Sequence, residues 1–334
     1  MGSDSTALPP GATVFVTGGS GFLGRQLIRD LRSRGFPVRA LARSDAAAAT
    51  VLGLGAEAVR GDLGDAGALR AGMRGCGCVI HCAAHVAMWG RWQDFVRDTI
   101  TGTENVIAAA RATGVPRLVH VGTEAVLADG SAIVDADETR ALPAHPNGFY
   151  PRSKGEAERL VLAANGSELA TVVVRPRFIW GAGDTTLLPQ FIEAMRAGKW
   201  MWFDGGRHRT STCHIGNVTH GTLLAAQSGR GGGVYFLTDG EPLVFRDFIT
   251  RLVGSKGVTA PERTAPLWVA DMTAAVCETV WRLFGLYSIP PLTRTAVNLM
   301  FREVTVNDRR ARVELGYRPV VSMEEGLAEL AREG

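Results

Sequence analysis

Tyr150-Pro151-Arg152-Ser153-Lys154 sets a phenol and an ammonium four residues apart, one helical turn, so that on a helix both side chains project from one face. Proline at the first helical position fits a helix that begins there. A phenol with an ordinary pKa near about 10 is a weak proton carrier at neutral pH. A cation beside it favours the phenolate and brings it toward the working range, which suits moving a proton on and off an alcohol or carbonyl oxygen. Thr123, after the apolar run 118–122, would hydrogen-bond the same oxygen and fix its position. The spacing alone is common on unrelated helices, as a surface ring and a solvated charge, and it gains meaning from a second feature at the chain start.

That feature is Thr17-Gly18-Gly19-Ser20-Gly21-Phe22-Leu23-Gly24, which follows a β-branched run and opens a helical pattern. Gly18, Gly21 and Gly24 allow a tight turn, close backbone approach to a pyrophosphate and close helix-to-strand packing, with the phosphates at the helix N-terminus beside Phe22 and Leu23. At the end of the second strand an acid would grip a free ribose diol and a base a 2′-phosphate. Arg43 and Ser44 stand there with no acid before them, which favours NADP(H) over NAD(H), although Asp45 follows. Gly61-Asp62-Leu63 offers a carboxylate that would hold the adenine amino group or cap a turn. With the nicotinamide supplying hydride to a carbonyl carbon, Tyr150 would protonate the oxygen, and Lys154 would hold the nicotinamide ribose and tune Tyr150.

The elements that must position these groups are legible as alternation. Short apolar or β-branched runs at 13–17, 38–41, 58–60, 78–81, 118–122 and 171–174 are separated by amphipathic runs beginning at Gly24, Ala66, Thr99 and Pro151, which predicts an α/β fold with a doubly wound parallel sheet. Residues 10–180 form the dinucleotide-binding part, and 211–240, a helix and then a strand at 234–237, return to it. Residues 181–210 and 241–330 form a smaller, mainly helical C-terminal substrate-binding lobe. The apolar stretch 267–286 is interrupted by Asp271, Glu278 and Arg282, which disfavours a spanning helix; a buried cap helix or a peripheral membrane contact fits better.

Composition narrows the rest. With 36 Lys+Arg against 33 Asp+Glu, the net +3 gives no basis for a nucleic-acid partner. Cys76, Cys78 and Cys82 bunch on one apolar stretch, Cys213 and Cys277 stand alone, and no CxxC pair exists. They read as reduced thiols of a cytoplasmic protein without a metal site. Met1 to Pro10 lacks the basic and apolar regions of a signal peptide and reads as a lead-in.

Together these residues resemble the extended short-chain dehydrogenase/reductase superfamily over essentially the whole chain, which implies a Rossmann-type sheet. The loop 17–24 matches its TGxxGxxG motif, Gly61-Asp62-Leu63 its adenine site, His81-Cys82-Ala83-Ala84 a strand segment lining the cofactor, and Tyr150/Lys154 its catalytic pair. Arg175-Pro176 with Ile179-Trp180-Gly181 looks like the segment passing under the nicotinamide. His214-Ile215-Gly216-Asn217-Val218, with Pro291 to Pro319, is similar to the 3β-hydroxysteroid dehydrogenase-like branch, which includes sterol dehydrogenases and 2-alkyl-3-oxoalkanoate reductases. The stretch 84–90 looks closest to the latter. Three departures stand out. Thr99 replaces the family's Asn, Thr123-Glu124-Ala125 lacks the second carboxylate of sugar-nucleotide dehydratases, and Thr210 and Asn217 stand where epimerases carry Arg and Asp.

The resemblance implies a homodimer by fold analogy and an oxidoreductase (EC 1.1.1.-) acting on a ketone or secondary alcohol. Met88, Trp89, Trp180 and Trp202 are expected to line the substrate site, and suit a bulky apolar molecule, a long-chain β-keto acid ahead of a 3β-hydroxysteroid. Arg91, Arg177, Arg207 or Arg209 would pair with a substrate carboxylate. The competing readings are a nucleotide-sugar epimerase or dehydratase that keeps its NAD(P), and a non-catalytic dinucleotide sensor, which would ordinarily lack the Tyr/Lys pair.

Overall fold

A computed structural model describes residues 8–333; of the N-terminal lead-in, residues 1–7 lie outside the described residues. Among the described residues, seven parallel strands form the central sheet, ordered from one edge Val234–Leu237, Ala170–Pro176, Arg117–Val121, Cys78–His81, Val14–Thr17, Val38–Ala42 and Glu57–Arg60. The chain reverses its direction of progress between Val14–Thr17 and Cys78–His81, and open parallel sheets bind ligands at the carboxyl ends of strands flanking such a point.

The period of two along each strand divides the interior. Val14, Val16, Cys78, Ile80, Val119, Val121, Val172 and Val174 face one apolar layer, while Phe15, Val79, Leu118 and Val173 face the other. Both faces are therefore covered, as near-continuous apolar parallel strands require. The helix Phe22–Ser33 buries Gly24, Leu27, Ile28 and Leu31, the three-and-four spacing of one helical stripe. The chain also forms a helix over Asp45–Gly53, absent from the sequence expectation, because its run of alanines carries almost no amphipathic signal. The helical segment expected from Thr99 begins earlier, at Trp92, and passes through a wide π-helical turn, Val96–Thr101, into Gly102–Ala112.

The smaller lobe combines helices with short strands. A four-stranded sheet runs Leu243–Val244, Arg209–Thr210, Val304–Val306, Ile133–Ala136, so a strand from within 10–180 joins it, and a separate core gathers Phe178 and Trp180 with Trp200, Trp202, Phe245 and Phe248. No described helix is long and apolar enough to cross a membrane. All five cysteines are free.

Candidate active site

The glycine loop lies at the reversal point. A Cβ on Gly18 would come within 2.9 Å of the Ala83 amide nitrogen, and one on Gly24 within 2.0 Å of the Gly18 carbonyl, so loop, first helix and the strand-four segment approach to distances only glycine permits. Gly21 caps Phe22–Ser33 without a side-chain hydrogen bond, leaving first-turn amides for a phosphate. Thr17 Oγ1 meets His81 Nδ1 at 2.7 Å and accepts from the Ala83 amide at 3.2 Å, and His81 Nε2 lies 3.0 Å from Thr103 Oγ1. This relay fastens Cys82–Ala84 beside the loop. Burial, with Lys154 nearby, holds His81 down at about 3, so the ring stays neutral. Thr99, in the position of the family's Asn, accepts from the His85 amide at 2.9 Å.

At the outer end of the cradle, Arg43 is exposed and makes no hydrogen bond or ion pair among the described residues. Ser44 caps Asp45–Gly53 by accepting from Ala47 N at 3.2 Å, and its hydroxyl proton stays available. Asp45, the acid that weighed against a 2′-phosphate, is held by Arg60 at 2.8 Å. Asp62 accepts from Gly64 N at 2.8 Å through one carboxylate oxygen, forming a turn and leaving the other oxygen open. These features fit a dinucleotide.

The helix Phe149–Ala163 begins at Phe149 rather than at Pro151, and the proline is still in the first turn, where its missing N–H leaves no partner unmet. Gly148, at φ +107°, turns the chain into it. Lys154 Nζ donates to the Val121 carbonyl at 2.7 Å, at the end of the strand that leads to Thr123. One turn further on, Glu158 forms a buried two-point pair with Arg175 on the adjacent strand, its Oε2 2.9 Å from Arg175 Nε. The helix is thus anchored at successive turns, with Tyr150 half-buried against Ala125, Ala128 and Leu299 and in hydrogen-bonding reach of Thr123.

The electrostatics depart from the sequence expectation. Burial pushes the Tyr150 phenol up to about 12, the Glu124 carboxylate adds to the rise, and the Thr123 hydroxyl opposes it. Lys154 contributes nothing to the phenol's shift; its ammonium donates to the Val121 carbonyl and is itself pulled down by burial to about 8. The unfolded chain keeps that proton to about 10.5, so between these values the unfolded state binds more protons and folding gains from this group as pH rises. Urea unfolding of the ligand-free protein across pH 8–10.5 should show a gain on the order of 1–3 kcal/mol that Lys154→Met abolishes; identical slopes would refute it.

Glu124 is the residue that sequence reasoning passed over. Buried at 3% exposure, it accepts the Thr123 hydroxyl at 2.8 Å and pairs with Arg177 at 2.8 Å. Arg177, equally buried, also donates to Thr210 Oγ1 at 3.1 Å and the Leu299 carbonyl at 2.6 Å. Its signal was present as Thr123-Glu124-Ala125, weighed only for the carboxylate it lacks.

The expected substrate residues divide. Met88 packs on the same Ala125, Ala128 and Leu299 cluster as Tyr150, and Trp89, half-buried, donates to the Leu286 carbonyl at 3.0 Å. Trp180 and Trp202 do not reach the site. At 1% and 0% exposure they fill the core of the smaller lobe, their indole N–H groups donating to Asp239 at 2.7 Å and to the Pro261 carbonyl at 2.6 Å, so packing accounts for both. Pro176 is buried at a strand end, with Ile179 part-buried beyond it. Asn217 binds the backbone of Val320 and Val321 and is a structural clasp.

Comparison with known proteins agrees with this geometry. Over 320 residues the chain is 49% identical to a 4-hydroxy-2-methyl-3-oxo-4-farnesyl-3,4-dihydroquinoline-1-oxide ketoreductase of Stigmatella aurantiaca, covering 96% of each. It is 36% identical to a 2-alkyl-3-oxoalkanoate reductase of Stenotrophomonas maltophilia (95% of this chain, 98% of the relative), and 32% identical to a sterol-4-alpha-carboxylate 3-dehydrogenase, decarboxylating, of Dictyostelium discoideum (95% and 99%). The crystal structure of gox2253 superposes with a TM-score of 0.78 at 27% identity, covering 96% of this chain and 97% of its own. Residues 15–267 match the model of the 3-beta hydroxysteroid dehydrogenase/isomerase family. With the glycine cradle, the Tyr/Lys helix and relatives along nearly its whole length, the chain belongs to that family and is an NAD(P)-dependent ketoreductase/dehydrogenase.

Proposed function

We propose that the chain reduces, with NADP(H), a bulky apolar ketone whose carbonyl carbon stands next to a heavily substituted carbon. The observation that carries this reading is the convergence of Thr123, Tyr150 and Lys154 beside the glycine cradle, with Met88 on the apolar cluster that also packs Tyr150. The names of the three relatives share one pattern, an oxygen function at carbon 3 and an alkyl, farnesyl or carboxylate substituent on the neighbouring carbon. Arg177, one of the four arginines expected to pair with a substrate carboxylate, is committed to Glu124. That favours an uncharged ketone over the β-keto acid suggested by the sequence.

In this reading residues 10–180 with 211–240 bind the dinucleotide, and 181–210 with 241–330 close over the substrate. Gly18, Gly21, Phe22, Leu23 and Gly24 hold the pyrophosphate, Arg43 and Ser44 the 2′-phosphate, Asp62 and Leu63 the adenine. Ala83, Ala84, Pro176 and Ile179 border the nicotinamide, whose chemistry is to supply a hydride. Tyr150 gives its proton to the carbonyl oxygen, Thr123 keeps the phenol and that oxygen aligned, and Lys154 holds the ribose.

The test follows NADPH consumption with neutral α-alkylated ketones, 2-alkyl-3-oxo acids, steroid ketones and UDP-sugars. Turnover confined to the sugars would remove the proposal. Arg43→Ala should weaken NADPH binding about 10–100-fold, the loss of one or two charge-assisted hydrogen bonds, while NADH binding barely changes. Equal losses would assign the cofactor differently.

A further inference from the structure

The helix Leu267–Leu283 is inside out. Its buried positions are Ala270, Ala274 and Glu278, whereas Trp268, Met272 and Val276, at the same four-residue spacing on the outer face, are 60%, 58% and 60% exposed. Surface helices of water-soluble proteins place their large apolar residues inward. The stripe continues through Leu283 and Phe284, 78% and 74% exposed, to Tyr287 and Ile289, a contiguous apolar surface of the kind that marks an interaction site.

The rim of this surface is cationic and aromatic. The Arg91 guanidinium lies 4.2 Å from the centre of the Tyr287 ring, and Arg282 lies 5.6 Å from the Trp89 ring. Glu278, the acid between Arg282 and Arg294, is only 6% exposed, whereas the two arginine side chains are 65% and 54% exposed, so the charge offered to solvent is positive. An apolar stripe bordered by Trp, Tyr and Arg matches the boundary between acyl chains and anionic headgroups, where aromatic rings settle and long cationic side chains reach the phosphates.

We propose that this face docks the enzyme on an anionic lipid membrane, lying in the headgroup region. The surface is joined to the site, because Trp89 donates to the Leu286 carbonyl and its neighbour Met88 packs on the same Ala125, Ala128 and Leu299 cluster as Tyr150. Resting on the reading of an apolar ketone substrate, docking brings the site mouth to the phase in which such a ketone dissolves.

The test is sedimentation of the NADPH-loaded enzyme with vesicles of phosphatidylcholine alone or mixed with phosphatidylglycerol. The expected result is binding to the mixed vesicles that rises with phosphatidylglycerol, falls with salt, and drops at least about tenfold in the Trp268→Ser/Met272→Ser/Val276→Ser variant. That variant should keep an unchanged melting temperature and an unchanged rate on a short, water-soluble ketone. No binding to either vesicle, or binding indifferent to the three substitutions, would overturn the proposal. A concentration-dependent dimer that vesicles do not dissociate and the triple variant abolishes would overturn it too, by assigning the face to a second copy. Vesicle binding without turnover of any ketone would leave docking intact and refute the substrate reading alone.

Discussion

Tyr150→Phe should lower turnover about 10²–10⁴-fold, the range supplied by a positioned proton donor, with NADPH affinity nearly unchanged. The ring is half-buried against Ala125, Ala128 and Leu299, and phenylalanine keeps all of that packing. The lost hydroxyl is the group that Thr123 reaches. Steady-state rates, paired with NADPH titration by fluorescence, separate the two effects, and a variant that still turned over at a tenth of the original rate would take Tyr150 out of the chemistry.

The second large effect is expected at Glu124, which the phenol feels as a nearby negative charge. Glu124→Gln removes that charge and leaves the Arg177 cation unpaired, so the phenol should ionise at lower pH, by about 1 unit or more. The sign differs by direction. Ketone reduction needs the protonated phenol, so its activity should be lost at a lower pH than in the parent. Alcohol oxidation needs the phenolate, so its activity should appear at a lower pH. Glu124→Asp keeps the charge and should return both limbs toward their original positions. A Glu124→Gln enzyme slower at every pH with unmoved limbs would reduce the residue to packing.

Much of the fold is legible in the amino-acid sequence. The parallel sheet and its glycine loop announce themselves because strand and helix periods alternate and because Gly24 cannot carry a Cβ against the Gly18 carbonyl. The Asp45–Gly53 helix was not readable, since alanines spaced evenly around a helix leave no stripe. Trp180 and Trp202 misled for a related reason. An indole serves a lobe's core as well as a pocket, and only their partners, Asp239 and the Pro261 carbonyl, decide between the two. Glu124 escaped notice because its importance rests on Arg177, fifty-three positions later, and nothing local in the sequence links them. The same holds for Lys154, whose spacing from Tyr150 was evident while its commitment to the Val121 carbonyl was not.

Arg177 grips the Leu299 carbonyl rather than any side chain of that segment. A backbone acceptor is indifferent to which amino acid carries it. The side chain at 299, packed with Ala125 and Ala128, can therefore vary among apolar residues without disturbing the Glu124–Arg177 pair. Variation in diet and constancy in chemistry can be inherited separately in such an enzyme.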